Sequence, residues 1–275
     1  MSRAPFSRYG GKYYMLKTII PLLPPHDVWV EAFAGAAWVT LAKPPSAVEV
    51  INDLDEGVVN FYRVLRDPDQ MRALEALLTL TPYSRAEYID CRGTWSTQTD
   101  PVEKARRWFV TVRQSVVGNI GTTGWSYSVQ SHVVTRWRNS IAGFGAVHER
   151  LALVQVDQRD WRVLLAAWNK PGVLLYCDPP YVLDTRVKGP MYAHEMTDDD
   201  HRDLVTALLG WQGPALVSGY AHPIYAPLEL AGWQRIDKGM PAHSTGSTRA
   251  GGLKQGRTES LWINYATSLV GGSGL

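Results

Sequence analysis

Cysteine is nearly missing from this chain. Its 275 residues include two, Cys91 and Cys177. Two thiols cannot build a disulfide framework, and neither stands at metal-ligand spacing from a histidine. The expected compartment is therefore a reducing one, the cytoplasm. Long apolar runs are missing too. No stretch approaches the roughly 20 residues that a membrane-spanning helix needs, and Met1 to Gly10 carries no apolar core of the signal-peptide kind. There is no Gly-Lys-Ser/Thr phosphate loop, which disfavours a generic nucleotide-binding protein. His194, Glu195 and His243 have no spacing that supports a metal site, so no metal is expected. An excess of charge is also lacking, with 28 Lys and Arg against 26 Asp and Glu.

What is present reads as an ordinary globular protein. Hydrophobic residues make up 45% and charged residues 20%, enough for one domain, or one domain carrying a large insertion. Eleven Trp and thirteen Tyr are many for this length; most should pack the core, though aromatics also stack on bases. The small net charge is unevenly spread. Residues 81–150 hold nine Lys and Arg against five acids, a surplus of four, and the rest of the chain is slightly acidic. A basic middle segment is where a polyanion would dock, if it is not simply a solvated face.

Val28 to Phe33 is a short apolar run ending in small residues, followed by a helical stretch stopped at Lys43-Pro44-Pro45. Val48 to Ile51 is a second strand, ending at Asn52-Asp53. Asp55 to Leu65 has the spacing of an amphipathic helix, and Asp67-Pro68 marks its end. Strand, helix, strand, helix is the opening of an open α/β sheet. The alternation stops near Leu80. From Thr81 to Arg150 the pattern is irregular, with helical patches near Val102 to Val112 and a loop at Gly118 to Trp125. Alternation resumes with a strand at Leu153 to Val156, a helix at Trp161 to Trp168, and a buried strand at Val173 to Cys177. Thr197 should cap a helix to about Leu209, and Ala215 to Ser218 is another strand. Trp233 to Asp237 and Ser260 to Tyr265 should pair antiparallel at the sheet edge. The expected organisation is a catalytic domain of residues 1–80 and 151–270, an inserted domain of residues 81–150, and a flexible tail, 271–275.

The strongest chemical signal is Asp178-Pro179-Pro180-Tyr181 at the carboxyl end of an apolar strand. Ligands of open α/β sheets bind at that end. Two prolines cannot continue a ladder, so the chain must leave the sheet in a stiff, extended form. That would hold the Asp178 carboxylate and the Pro179 carbonyl as neighbouring acceptors for both hydrogens of one amino group. Tyr181 would offer a stacking face. A second signal is Glu31 to Ala37, whose small residues let the backbone approach a ligand. Asp53, at the end of the next strand, is placed either to accept ribose hydroxyls or to cap a helix. Cys177 reads as a buried small hydrophobe.

In this order the pieces resemble the Dam-like, or D12 class, N6-adenine DNA methyltransferases in their alpha arrangement. The resemblance implies a Rossmann-like S-adenosylmethionine-dependent methyltransferase sheet with an inserted, mostly helical DNA-recognition domain. It implies Arg8, Tyr9 and Lys12 at the methionine end of the cofactor, Glu31, Phe33 and Gly35 in the cofactor loop, Asp53 on the ribose and Asp160 near the cofactor adenine. Asp178 to Tyr181 match the catalytic tetrapeptide, and Arg257 to Tyr265 resemble the closing strand. Where the family has Pro after the acid and Ser-Gly or Gly-Ser after the glycine, this chain has Ala32 and Ala36-Ala37. The implied reaction is direct methyl transfer to N6 of an adenine flipped out of double-stranded DNA. Within the insertion, Arg113, Gln114, Asn119, Gln130, Arg136, Arg138 and Asn139 are candidates for DNA contact. Ser244 to Lys254 could be a mobile loop near DNA or a plain surface loop. A monomer suffices. The competing readings are N4 of cytosine, adenine in RNA, and a DNA-binding relative without catalysis.

Overall fold

The computed structural model describes residues 4–8, 10–118, 124–129, 132–186, 192–240 and 257–267. Tyr9, Asn119, Gln130, His243, the loop from Ser244 to Lys254 and the tail 271–275 lie outside the described residues.

Among the described residues, seven strands form one sheet. They are β1 (Val28–Glu31), β2 (Val48–Asn52), β3 (Val154–Asp157), β4 (Val173–Cys177), β5 (Ala215–Gly219), β6 (Gln234–Met240) and β7 (Arg257–Ile263), in the order β3-β2-β1-β4-β5-β7-β6. β3 to β5 across the sheet run parallel, and β7 inserts antiparallel between β5 and β6. The chain winds outward from β1 in one direction to β3, then returns to place β4 on the other side of β1. The point of reversal, between β1 and β4, is where a crevice opens in sheets of this kind.

Both faces of the sheet are covered, as parallel strands require. Successive side chains alternate between faces. Thus Trp29, Leu174, Tyr176, Leu216 and Leu261 pack with α1 (Leu16–Leu22), whereas Val30, Leu175, Cys177 and Val217 pack with α9 (Trp161–Trp168), α10 (Asp198–Leu209) and α11 (Ala226–Leu230). α2 (Trp38–Ala42) follows β1, and α3 (Glu56–Arg66) follows β2. Asp55 caps α3 by accepting from the Gly57 and Val58 amides. Thr197 and Asp200 form a reciprocal cap on α10, as the acid-rich start anticipates. No helix among the described residues is long and apolar enough to cross a membrane.

The irregular middle of the sequence is helical. α4 (Pro68–Leu80), α5 (Arg85–Thr94), α6 (Pro101–Gln114), α7 (Val133–Ala142) and α8 (Phe144–Leu151) share one apolar cluster with α3. That cluster also takes in Ala34, Trp38 and Ile51 beside the sheet, so the helices have no core of their own. α4 packs on α6, α7 and α8 and so joins this layer, thirteen residues before the expected start of the insertion. Asp67-Pro68, expected to end a helix, also begins α4: Asp67 caps it and Pro68 occupies its first turn.

The turn after β1 carries visible strain. Gly35 has φ +49° and Ala37 has φ +47°, the left-handed region that disfavours a Cβ. Ala37 stands at a position where the family resemblance calls for a small Ser-Gly or Gly-Ser pair. Ala37→Gly is expected to stabilise the chain by about 1 kcal/mol, read as a rise in the denaturant midpoint.

Candidate active site

The carboxyl ends of β1, β2 and β4 face a cleft. Its floor includes Glu31, Ala32 to Ala36, Asn52, Asp53, Asp178 and Pro180. Asn52 knits these strand ends together: its amide donates to the carbonyls of Ala32 and Arg159 and accepts from the Arg159 N–H. Along one wall run Asp160, Trp161 and Arg162, and Phe33 lies tilted against the Trp161 ring at 6.3 Å. Arg8 and Gly10 to Lys12 line the cleft too, as do Tyr192 to Met196, with Met196 in one apolar cluster with Trp161.

Asp53 is fixed by two backbone donors. The Gly35 N–H reaches one carboxylate oxygen at 2.7 Å and the Asp55 N–H reaches the other at 2.9 Å. Burial, reinforced by Asp55, raises its pKa. Arg8 pairs with Asp55 at 2.8 Å. Asp160 caps α9 through the Arg162 N–H and lines the cleft.

Glu31 is buried beneath the cleft. Its carboxyl accepts from the Thr40 N–H at 3.1 Å and from the Thr40 hydroxyl, which itself accepts from Trp29 Nε1. Desolvation pushes the Glu31 pKa up to about 8 despite those donors, so a cation arriving nearby would favour its ionised form.

Asp178 leaves β4 with its side chain 19% exposed. The Lys12 ammonium touches it at 2.7 Å, lies 3.0 Å from Glu259 on β7, and donates to the Gly10 carbonyl at 2.9 Å. Burial works to lower the Lys12 pKa, but the two carboxylates outweigh it and hold the value above the ordinary lysine range. For Asp178, burial is the larger effect and lifts the carboxyl to about 6, against the pull of Lys12. Gly10 is left-handed, at φ +80°, and a Cβ there would meet the Tyr192 hydroxyl at 2.6 Å. The glycine therefore lets the N-terminal segment close against the 192–196 stretch.

Two sequence expectations need correcting. Tyr181 was expected to present a stacking face to the cleft. Its ring is instead buried, with the Lys12 ammonium 4.9 Å from its centroid and Tyr220 edge-on at 4.7 Å. Its hydroxyl donates to Glu259. Gln114 was expected among the base readers. It is fully buried, accepts from the Ser84 N–H and Trp125 Nε1, and donates to the Pro82 carbonyl. A side chain with its amide committed in this way scaffolds the loop that follows α6. There Ser115 and Trp125 form an antiparallel bridge, and the Tyr83 hydroxyl holds the Ser126 carbonyl.

The basic surplus of the middle segment is partly internal. Arg106 and Arg107 pair with Glu87, Glu103 and Asp90, while Arg150 pairs with the buried Glu49 of β2. Other arginines gather around the bridged loop. Arg85 covers the Trp125 ring at 5.2 Å, and Arg113 donates to the Arg136 carbonyl on α7. Arg136, Arg138 and Asn139 are exposed on α7, and Tyr127 and Val129 are exposed beyond the loop.

Glu259, Thr40 and the 192–196 stretch are site residues to which the sequence alone assigns no role in the cleft. A glutamate in the apolar alternation of Leu261 and Ile263 was the available signal for the first. Neither of the others carries a local pattern. Residues 9–224 of the chain match the family model of the D12 class N6 adenine-specific DNA methyltransferases. No curated protein matches the chain.

Proposed function

Since the chain belongs to the D12 class of N6 adenine-specific DNA methyltransferases, we propose that it takes the methyl group from S-adenosylmethionine and places it on an adenine flipped out of double-stranded DNA. The observation that carries this reading is Asp178, partly open to a cleft that Asp53 also lines.

The chemistry of the cleft suits that cofactor. Asp53 is held by backbone donors with lone pairs to spare for ribose hydroxyls, nothing lies within 4 Å of a Cβ built on Gly35, and Phe33, Asp160 and Trp161 offer a partly apolar wall for a purine. Arg8, Lys12, Glu31 and Gly35 complete the proposed cofactor set, with Tyr9. When bound, the cofactor supplies an electrophilic methyl on a sulfonium. The chain's own task is to bring an amine to it in line and to exclude competing water. The Asp178 carboxylate and the Pro179 carbonyl would accept the two amino hydrogens and leave the nitrogen lone pair free. Pro180 keeps that turn extended. Asp178 also stabilises positive charge as it develops on the nitrogen. Tyr181 would steady Asp178 and Lys12 from beneath and would need to move to stack on a base.

We assign catalysis to residues 1–80 and 151–270 and target recognition to residues 81–150. Arg136, Arg138 and Asn139, exposed on α7, with Asn119 and Gln130, would meet the duplex, whereas Arg113, expected among these contacts, is half-buried and donates to the Arg136 carbonyl. For Arg138→Gln we expect weaker binding to every duplex and a salt dependence whose slope falls by about 1, the signature of one lost phosphate contact. A monomer in the cytoplasm, where the buried, unpaired Cys91 and Cys177 stay reduced, meets every requirement of this reading. It is tested by incubating duplex DNA with methyl-labelled S-adenosylmethionine and digesting it to nucleosides. Label in N6-methyladenine supports the reading; label in N4-methylcytosine, or none in DNA, refutes it.

A further inference from the structure

We propose that Glu259, on the closing strand β7, is a positioning residue for methyl transfer: by sharing the Lys12 ammonium with Asp178 it leaves the acceptor site with one net negative charge. The proposal rests on the reading above and extends it to a residue outside the 9–224 family match.

Glu259 stands where its strand calls for an apolar side chain. Residues two apart on a strand share a face, so Glu259 continues the line of Leu261 and Ile263, both fully buried in the core on that face. Its side chain is 9% exposed, and its carboxylate meets the Lys12 ammonium at 3.0 Å and the Tyr181 hydroxyl. Burying a carboxylate is costly unless it is paired. A strand that needed only packing would carry an aliphatic residue here.

The charge balance gives Glu259 its use. Lys12 and Asp178 alone are neutral together. An amine turning cationic beside them would be repelled by the ammonium as it is attracted by the carboxylate. With Glu259 the three groups carry one negative charge, and the ammonium is shared between two carboxylates. As N6 forms its new bond to carbon, the carbon–sulfur bond breaks with its electron pair going to sulfur. The nitrogen then holds the positive charge until its proton leaves to solvent. A negative, pre-oriented site favours that state over the neutral amine.

The ionisable groups that bear on Asp178 are Lys12 from the N-terminal turn, Glu31 at the end of β1, Tyr176 and Cys177 from β4, Tyr181, Tyr225 and Glu259. The tyrosines and Cys177 are all raised, chiefly by burial, and stay neutral near pH 7. Lys12 and Glu259 therefore act on Asp178 with opposite signs. Losing the like charge of Glu259 lowers the Asp178 midpoint from about 6, and losing the opposite charge of Lys12 raises it.

The test compares wild type, Glu259→Gln and Lys12→Met by two measurements. One is the single-turnover methylation rate against pH. The other is the Asp178 carboxyl titration, followed by carbon NMR in the protein without cofactor and assigned with Asp178→Asn. Glu259→Met is the second variant at this position, because it extends the apolar line of Leu261 and Ile263. In either Glu259 variant the plateau rate should fall about tenfold, while the titration and the acid limb move to lower pH. In Lys12→Met both should move to higher pH. A wild-type plateau rate in the Glu259 variants overturns the proposal. So does a lower rate with an unmoved Asp178 midpoint, which marks a purely structural role. If the wild-type chain puts no methyl on adenine, the functional reading fails instead.

Discussion

Asp178→Ala is expected to lower the single-turnover methylation rate by about 10³-fold while the chain stays folded and still binds S-adenosylmethionine. The size follows from two losses. The amine loses the charged acceptor that orients its lone pair, and the developing cation loses its nearest negative partner. The fold should hold because Asp178 supports little of it. β4 is anchored through its pairing with β1 and β5. Lys12 would retain Glu259 and the Gly10 carbonyl. Burial already raises the Asp178 carboxyl to about 6, so at neutral pH its ionised form is held against a desolvation penalty that alanine does not incur. Circular dichroism and calorimetry with the cofactor check the two retained properties. Near-normal turnover in this variant would remove Asp178 from the chemistry.

Gly57→Ala should cost about 3 kcal/mol of stability, the upper range for forcing extra volume into a packed core. Gly57 lies in the first turn of α3, directly against Trp108 of α6. A Cβ at Gly57 would sit 2.1 Å from the indole Nε1 and 2.2 Å from Cδ1. The ring has no easy retreat, since Phe6 stands edge-on at 4.9 Å and Phe61 lies tilted at 5.3 Å. Trp108 is fully buried, so helix and indole must part. Because the helices of the middle segment share their core with α3 and one side of the sheet, the loss should appear as one cooperative shift of the denaturant midpoint. A change below about 0.5 kcal/mol would show that α3 and α6 pack more loosely than this contact implies.

The sheet was legible because its strands announce themselves locally. Val173 to Cys177 is a five-residue apolar run ended by two prolines, and the structure ends β4 at Cys177. The antiparallel pair near the carboxyl terminus was legible as a pair, yet the order is not what a simple edge hairpin gives, because the later strand, β7, lies inside the earlier one. No local pattern encodes that choice; it depends on β7 burying Leu261 and Ile263 against the core while β6 takes the edge. Most helices of the middle segment escaped the periodicity reading. α5 and α7 bury few residues each, Tyr88 and Cys91 in one, Trp137 and Ile141 in the other, too few to stand out among exposed Arg, Thr and Ser.

The active site divides in the same way. Asp178, Glu31, Asp53 and Asp160 follow strand ends, where topology guarantees a shared rim, and all four line one cleft. The roles of Tyr181 and Gln114 depended on where a side chain points, which spacing alone does not specify. Glu259 lies 81 residues beyond Asp178 in the chain and shares with it the ammonium of Lys12, near the opposite terminus. The glutamate in the apolar alternation of β7 marks a buried carboxylate, but no local pattern says that three distant segments meet at one ammonium.

The most direct test is a crystal structure of the chain with a non-reactive cofactor analogue and a duplex containing the sequence at which its methylation maps. The account predicts an adenine outside the helix, its N6 within hydrogen-bond reach of both the Asp178 carboxylate and the Pro179 carbonyl, and the analogue's ribose on Asp53. An adenine seated away from Asp178, or a cofactor bound outside the crevice between β1 and β4, would contradict it.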